Sequence, residues 1–192
     1  MGDTTPHRAE APSTARQRLR NIIRARSLLT GGAFTLASGR ESSVFFDMKR
    51  TMLDPEGANL IAEAVLDRIG ETPVEAVGGL VMGAVPIVSV VCAKSFERGR
   101  PLQGFFVRKE TKDHGTQKLI DGNLSQGARV AILEDVTTTG GSALRAADAV
   151  SAFGASVVVV ITIVDRLEGA AAAFRAHDLP FAAVFTLSLI HI

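Results

Sequence analysis

RVAILEDVTTTGGSALRAADAV, residues 129–150, decides how this chain folds: an apolar run, two acids, a turn of hydroxyls and glycines, then a helix-periodic stretch. Residues 129–133 read as a short buried parallel strand, and Ser142, Ala143, Ala146, Ala147, Val150 and Phe153 recur at the spacing of one helix face. Between them, Gly140 and Gly141 permit close backbone approach, and the unpaired amides that open the helix attract an anion such as a phosphate. Thr137, Thr138 and Thr139 add hydroxyl donors. Glu134 and Asp135, at the carboxyl end of the strand, suit hydrogen bonds from vicinal ribose hydroxyls and oppose positive charge on a sugar ring. The turn has neither the Lys of G-x-x-x-x-G-K-[ST] nor the spacing of G-x-G-x-x-G. An ordinary strand-to-helix connection would use similar polar residues, so a second motif is needed.

Working outward, strands alternate with helices. On the amino-terminal side, residues 74–80 predict a strand, 86–98 a helix and 102–107 a further strand; beyond the acidic turn come a strand over 156–164, an Ala-rich helix over 168–177 and a short strand over 181–186. Asp54 followed by Pro55 marks a helix start, with Leu60, Ile61, Ala64, Val65 and Ile69 on its buried face and Gly70 as its stop. This order predicts an α/β fold: a mainly parallel, twisted sheet of about five strands, helices on both faces, and ligands gathered beyond the carboxyl ends of the strands. Residues 15–29 read as an amphipathic helix with five Arg on its solvated side, ended by Gly31 and Gly32. Two short strands at 34–36 and 44–48, joined by the polar SGRESS, predict a hairpin outside the main sheet, so that residues 15–50 form a small subdomain on one domain of 15–186.

The 192 residues suffice for one sizeable core. Apolar residues make up 46% and charged residues 21%, the balance of a globular chain, and no membrane association is expected. A net charge of +1, with neither Trp nor Tyr, argues against a nucleic-acid partner. Cys92 is a lone cysteine, read as a buried inert thiol in a reducing cytoplasm. Residues 1–14 carry no apolar leader and are expected to form a mobile tail.

Residues 108–128 break the alternation: polar, charged and too long for a tight connection. Arg108, Lys109, Lys112 and His114 fall there within seven residues. As a surface loop they need no function; as an anion clamp they would close on a diphosphate, where charge-assisted bonds are stronger.

Strand, two acids, Thr-rich turn, Gly and helix together resemble the loop that binds 5-phosphoribosyl 1-diphosphate (PRPP) in type I phosphoribosyltransferases. RKETKDHG, residues 108–115, resembles the R-K-x-x-K-x-H-G catalytic loop of one branch, the orotate phosphoribosyltransferases. FTLASGRESSVFFD, KRTMLDPEG, VGGLVMGAVPI and IVDRLEG agree in collinear order, so the likeness runs over residues 15–186. It implies the fold of that family, with the amino-terminal subdomain as a hood, and transfer of the phosphoribosyl group from PRPP to N1 of orotate on the way to UMP.

Residue by residue, the resemblance implies that Glu134 and Asp135 meet the ribose hydroxyls and that Val136, Thr137, Thr138, Thr139, Gly140, Gly141 and Ser142 surround the 5-phosphate. Arg108, Lys109, Lys112 and His114 would meet the diphosphate, with Lys112, Asp135, Arg108 and His114 carrying catalysis. Thr138, Arg166, Phe45 and Phe46 match orotate-binding positions, and an Arg fork suits a planar carboxylate. A purely structural alternative pairs Arg166 with Glu168 and puts Phe45 in the hairpin's core. Gly83 and Ala84 would leave backbone amides free for the diphosphate, or serve only tight packing. The resemblance also implies Mg2+ held mainly by PRPP and water without a direct protein ligand, and a homodimer with a shared active site. The chain departs from the pattern at Ala37 and Gly83, where many members have Lys, and in its last six residues, LSLIHI. A type I enzyme acting on a purine would share the PRPP loop but lack RKxxKxHG, and a PRPP-binding regulator without turnover would carry a nucleic-acid surface.

Overall fold

In chain order the elements are α1 (Thr14–Ile22) with a π-helical turn (Ile23–Ser27), β1 (Leu28–Thr35), β2 (Glu41–Phe46), α2 (Lys49–Met52), α3 (Pro55–Ile69), β3 (Ala76–Leu80) and α4 (Ala84–Glu97). They continue with β4 (Gln103–Val107), β5 (Ile120–Gly122), β6 (Arg129–Thr137), α5 (Gly141–Phe153), β7 (Ser156–Asp165), α6 (Ala170–Ala176), β8 (Phe181–Thr186) and α7 (Leu187–His191). The computed structural model describes residues 14–35, 41–110 and 119–191. The main sheet runs β5-β4-β3-β6-β7-β8, and β1 and β2 form a separate antiparallel hairpin. The five strands β4, β3, β6, β7 and β8 are mutually parallel; β5 adds an antiparallel edge through Phe105↔Gly122, Phe106↔Asp121 and Val107↔Ile120. Among the described residues no helix is long and apolar enough to cross a membrane.

Apolar side chains fill both faces of the sheet. Ala131 and Leu133 of β6 pack into the core with Ile61 and Val65 of α3 and Ile87 and Val91 of α4, whereas Val130 and Ile132 join Ala143, Ala146 and Val150 of α5 and Phe174 of α6. Burying a Leu, Ile or Phe fully contributes about 1.5–3 kcal/mol, so these two cores hold the sheet between its helices. Strand alternation then assigns the acids: Glu134 continues the α5 face and Asp135 the α4 face. Asp54 caps α3, its Oδ1 accepting from the Gly57 amide at 2.9 Å, with Pro55 at the first helical position.

Several sequence expectations change. The hairpin's second strand runs over Glu41–Phe46 rather than 44–48. The helix over 15–29 passes into a π-helical turn that ends at Ser27, and Leu28 and Leu29 enter β1, because their apolar side chains pair across to Phe46 and Phe45 and that long-range ladder overrides the local helix pattern. Gly31 and Gly32 therefore lie in β1, where the register shifts between Thr30 and Phe34 and Gly31 has φ +83°. The strand at 129–133 runs on to Thr137, because β7 continues beside it through Glu134↔Thr162 and Thr137↔Asp165. The connection at 108–128 contains β5, too short to show periodicity. The helix over 168–177 begins at Ala170, since Gly169 with φ +109° bends the chain first. Of the LSLIHI end, Leu187–His191 form α7, and Ile190 is fully buried beside Val184 and Phe185. Residues 1–13, Ala37, Lys112 and His114 lie outside the described residues.

Candidate active site

A cavity of about 420 Å³ opens at the carboxyl end of the sheet, lined by Phe45 and Phe46 of the hairpin, Arg166 after β7, and Glu134, Val136 to Ser142 and Arg145 from β6 to α5. Gly140 has φ +87°, and a Cβ there would come within 2.9 Å of the Phe174 ring, so the turn needs glycine for its conformation and for its packing. Its backbone is tied down on the far side: the Thr137 carbonyl accepts from the Arg166 amide at 3.0 Å and the Thr138 carbonyl from the Ala170 amide at 3.2 Å. The turn thus presents the first amides of α5 and the threonine hydroxyls to the cavity as a fixed anion cradle.

Glu134 and Asp135 stand in different surroundings. Burial, reinforced by the charge of Asp135 and offset by Arg145, pushes the Glu134 carboxyl from 4.5 up to about 8. Asp135 is also pushed up by burial, against the pull of the backbone amides of Val136 and its own residue and of the Lys49 charge. Its Oδ1 accepts from the Val136 amide at 2.9 Å, and a Cβ on Gly83 would stand 2.6 Å from that oxygen. The small residue at the start of α4 therefore makes room for Asp135. Both carboxyls are half-buried and held toward the neutral form, which positive charge on a ligand beside them would reverse.

Arg166 is 5% exposed. Its Nε donates to Glu168 Oε1 at 2.8 Å, Nη1 to the Val44 carbonyl at 3.0 Å and Nη2 to Ser42 Oγ at 2.9 Å. The guanidinium thereby bridges the end of β7 to the hairpin and lies 6.0 Å from the Phe46 ring centroid. Arg166 thus pairs with Glu168 and also lines the cavity. Phe45 likewise has two surroundings: it stacks on Phe34 at 5.6 Å and faces the cavity.

Of the expected site residues, the structure gathers Phe45, Phe46, Glu134, Val136, Thr137, Thr138, Thr139, Gly140, Gly141, Ser142 and Arg166 around one space. Asp135 adjoins it on the opposite face of β6. Arg108 pairs with Asp121 of β5, its amide donates to the Leu119 carbonyl at 2.8 Å, and Lys109 beside it is exposed; neither lines the cavity. Sequence reasoning missed Arg145, whose signal was its spacing four residues after Gly141 on the first turns of α5, and Ser42, which carried none.

No family model matches the chain. An orotate phosphoribosyltransferase of Rhodopseudomonas palustris strain BisB18 is 48% identical over 180 residues, covering 92% of this chain and 96% of that one. The chain belongs to the orotate phosphoribosyltransferase family. Its backbone agrees with solved members: a Mycobacterium tuberculosis H37Rv orotate phosphoribosyltransferase in complex with Fe(III) dicitrate is similar at a TM-score of 0.82 and 38% identity, covering 93% of this chain and 99% of that one. A structure of the Mycobacterium tuberculosis enzyme in complex with PRPP is similar at a TM-score of 0.78 and 35% identity, over the same shares. As an orotate phosphoribosyltransferase family member, the chain has the type I phosphoribosyltransferase fold, and the β6 turn and α5 are the part of it that builds the anion cradle.

Proposed function

We propose that the chain transfers the 5-phosphoribosyl group of PRPP to N1 of orotate, releasing diphosphate and forming orotidine 5-monophosphate in pyrimidine biosynthesis. The observation that carries this reading is one cavity with an amide and hydroxyl cradle beside Glu134 at one side, and Arg166 with Phe45 and Phe46 at the other. An anionic sugar and a flat acid fit those two halves. Residues 15–186 act as a single domain, with 15–50 as a hood over the site.

Thr137 to Ser142, with the Val136 backbone, hold the 5-phosphate; Glu134 and Asp135 accept from the ribose hydroxyls, each from its own face of β6. As the C1–O bond breaks, its electron pair leaves with diphosphate and the ring becomes cationic; carboxylates in a poorly solvated site stabilise that charge more strongly than in water. Holding both substrates in one cavity replaces a bimolecular encounter, and no protein nucleophile is required. Phe45 and Phe46 flank the base, and Thr138 and Arg166 orient it so that N1 faces C1; the N1 proton passes to the departing diphosphate as the N1–C1 bond forms. Arg108, Lys109, Lys112 and His114 compensate the departing diphosphate, with Lys112, Arg108, His114 and Asp135 the catalytic groups.

Mg2+ belongs to this reading. Glu134 and Asp135 are hard oxygen donors driven toward the neutral form by burial, which a nearby dication would return to the charged form, so the residues suit it. It would be held mainly by PRPP oxygens and water, without a direct protein ligand, and would supply charge compensation for the diphosphate. The working unit in this reading is a cytoplasmic homodimer with a shared site. The test mixes the chain with PRPP, Mg2+ and a panel of bases and follows orotate absorbance and diphosphate release. Orotate-dependent diphosphate release is expected; turnover of a purine with none of orotate overturns the proposal.

A further inference from the structure

Ser42 lies on β2, 124 residues from Arg166 in sequence, yet its hydroxyl is the meeting point of the hairpin and the main sheet. The Ser42 Oγ donates to the Val44 carbonyl at 2.9 Å and accepts from the Val44 amide at 3.1 Å and from Arg166 Nη2 at 2.9 Å. One O–H and two lone pairs are all that a hydroxyl has, and all are used. The Val44 carbonyl takes a second bond from Arg166 Nη1 at 3.0 Å. With Nε on Glu168, three of the five guanidinium N–H groups are engaged; Ser42 Oγ and the Val44 carbonyl, 2.9 Å apart, take the parallel end-on pair, so the remaining N–H groups on the two terminal nitrogens diverge and a ligand carboxylate meets one of them.

The same few atoms set two things at once. Rotating the guanidinium would strand buried donors, so each remaining N–H group keeps a fixed direction. Val44 is also the residue before Phe45 and Phe46, so the ring pair is anchored through the same carbonyl that accepts from Arg166. Glu168 Oε1 at 2.8 Å offsets part of the Arg166 charge, so recognition of a ligand carboxylate depends on where the remaining N–H group points.

Resting on the reading of the site as an orotate pocket, we propose that Ser42 is a positioning residue for base selection, whose hydroxyl aims Arg166 at the carboxylate of the incoming pyrimidine. A pyrimidine without that carboxylate has nothing to receive the aimed N–H group, and its affinity does not depend on Ser42.

The test compares wild type, Ser42→Ala and Ser42→Cys in steady-state turnover, with uracil as a competitive inhibitor against orotate. Loss of the hydroxyl is expected to raise KM for orotate about tenfold, with KM for PRPP and the inhibition constant of uracil each within about twofold of wild type. Cysteine keeps nearly the same volume with only a weak acceptor, so it carries the comparison should the Ala variant fail to fold. An unchanged orotate KM in the folded variant overturns the inference. So does a parallel rise for orotate, PRPP and uracil, which would mean general loosening of the hairpin. Wild type that turns over no orotate overturns instead the function on which the inference rests.

Discussion

Glu134→Gln separates the stability of this fold from its chemistry. The Glu134 carboxyl is pushed up from 4.5 to about 8, chiefly by burial and then by Asp135. Between those values the folded chain keeps a proton that the unfolded chain has released, so the stability contributed is fully present below about pH 4.5 and has been lost once pH rises through about 8. At about 1.36 kcal/mol per pH unit, the rise bounds that loss at about 5 kcal/mol. Gln keeps the shape and the acceptor but does not titrate. The variant is therefore expected to melt higher than wild type at pH 8.5, by up to about 10–20 °C at about 2–4 °C per kcal/mol, and to be within about 1 kcal/mol of it at pH 5. Thermal melts of both proteins across pH 5–9 measure this, and PRPP titration of the same samples is expected to show weaker binding by the variant. A melting difference that stays constant with pH would refute the burial argument.

Asp135→Asn and Lys112→Ala are each expected to lower kcat at least tenfold while shifting the melting temperature by no more than a few degrees at pH 7; activity kept in both would remove the proposed catalytic assignment. Asp54→Ala removes the cap on the Gly57 amide and the partner of Arg26, and is expected to cost about 1 kcal/mol, seen as a melting point about 2–4 °C lower with unchanged KM for both substrates.

The centre of this fold was legible because its signals are local. Strand, acids, turn and helix follow one another within residues 129–150, so periodicity and turn chemistry suffice, and Asp54-Pro55 marks α3 just as plainly. Leu28 and Leu29 were misread because an apolar pair fits a helix stripe as well as a strand; only pairing with Phe46 and Phe45, far along the chain, decides it. β5 has three residues at a polar edge and no pattern to read. The site shows the same division. The cradle was evident in the Thr and Gly run, whereas Ser42 depends on a contact across 124 positions. Gly83 was readable as a small residue that leaves backbone amides free, but its closeness to Asp135 follows from how α4 seats on β6, which no local pattern encodes.

The alternation of β6 makes the order of its two acids consequential. The longer carboxylate at 134 extends into open space beside Arg145, while the shorter one at 135 fits against a glycine with no room to spare. Transposing them to Asp-Glu would preserve charge, composition and strand propensity, yet would withdraw an oxygen from the pocket and force an extra methylene against Gly83. Parity along the strand thus turns two nearly synonymous residues into non-interchangeable parts.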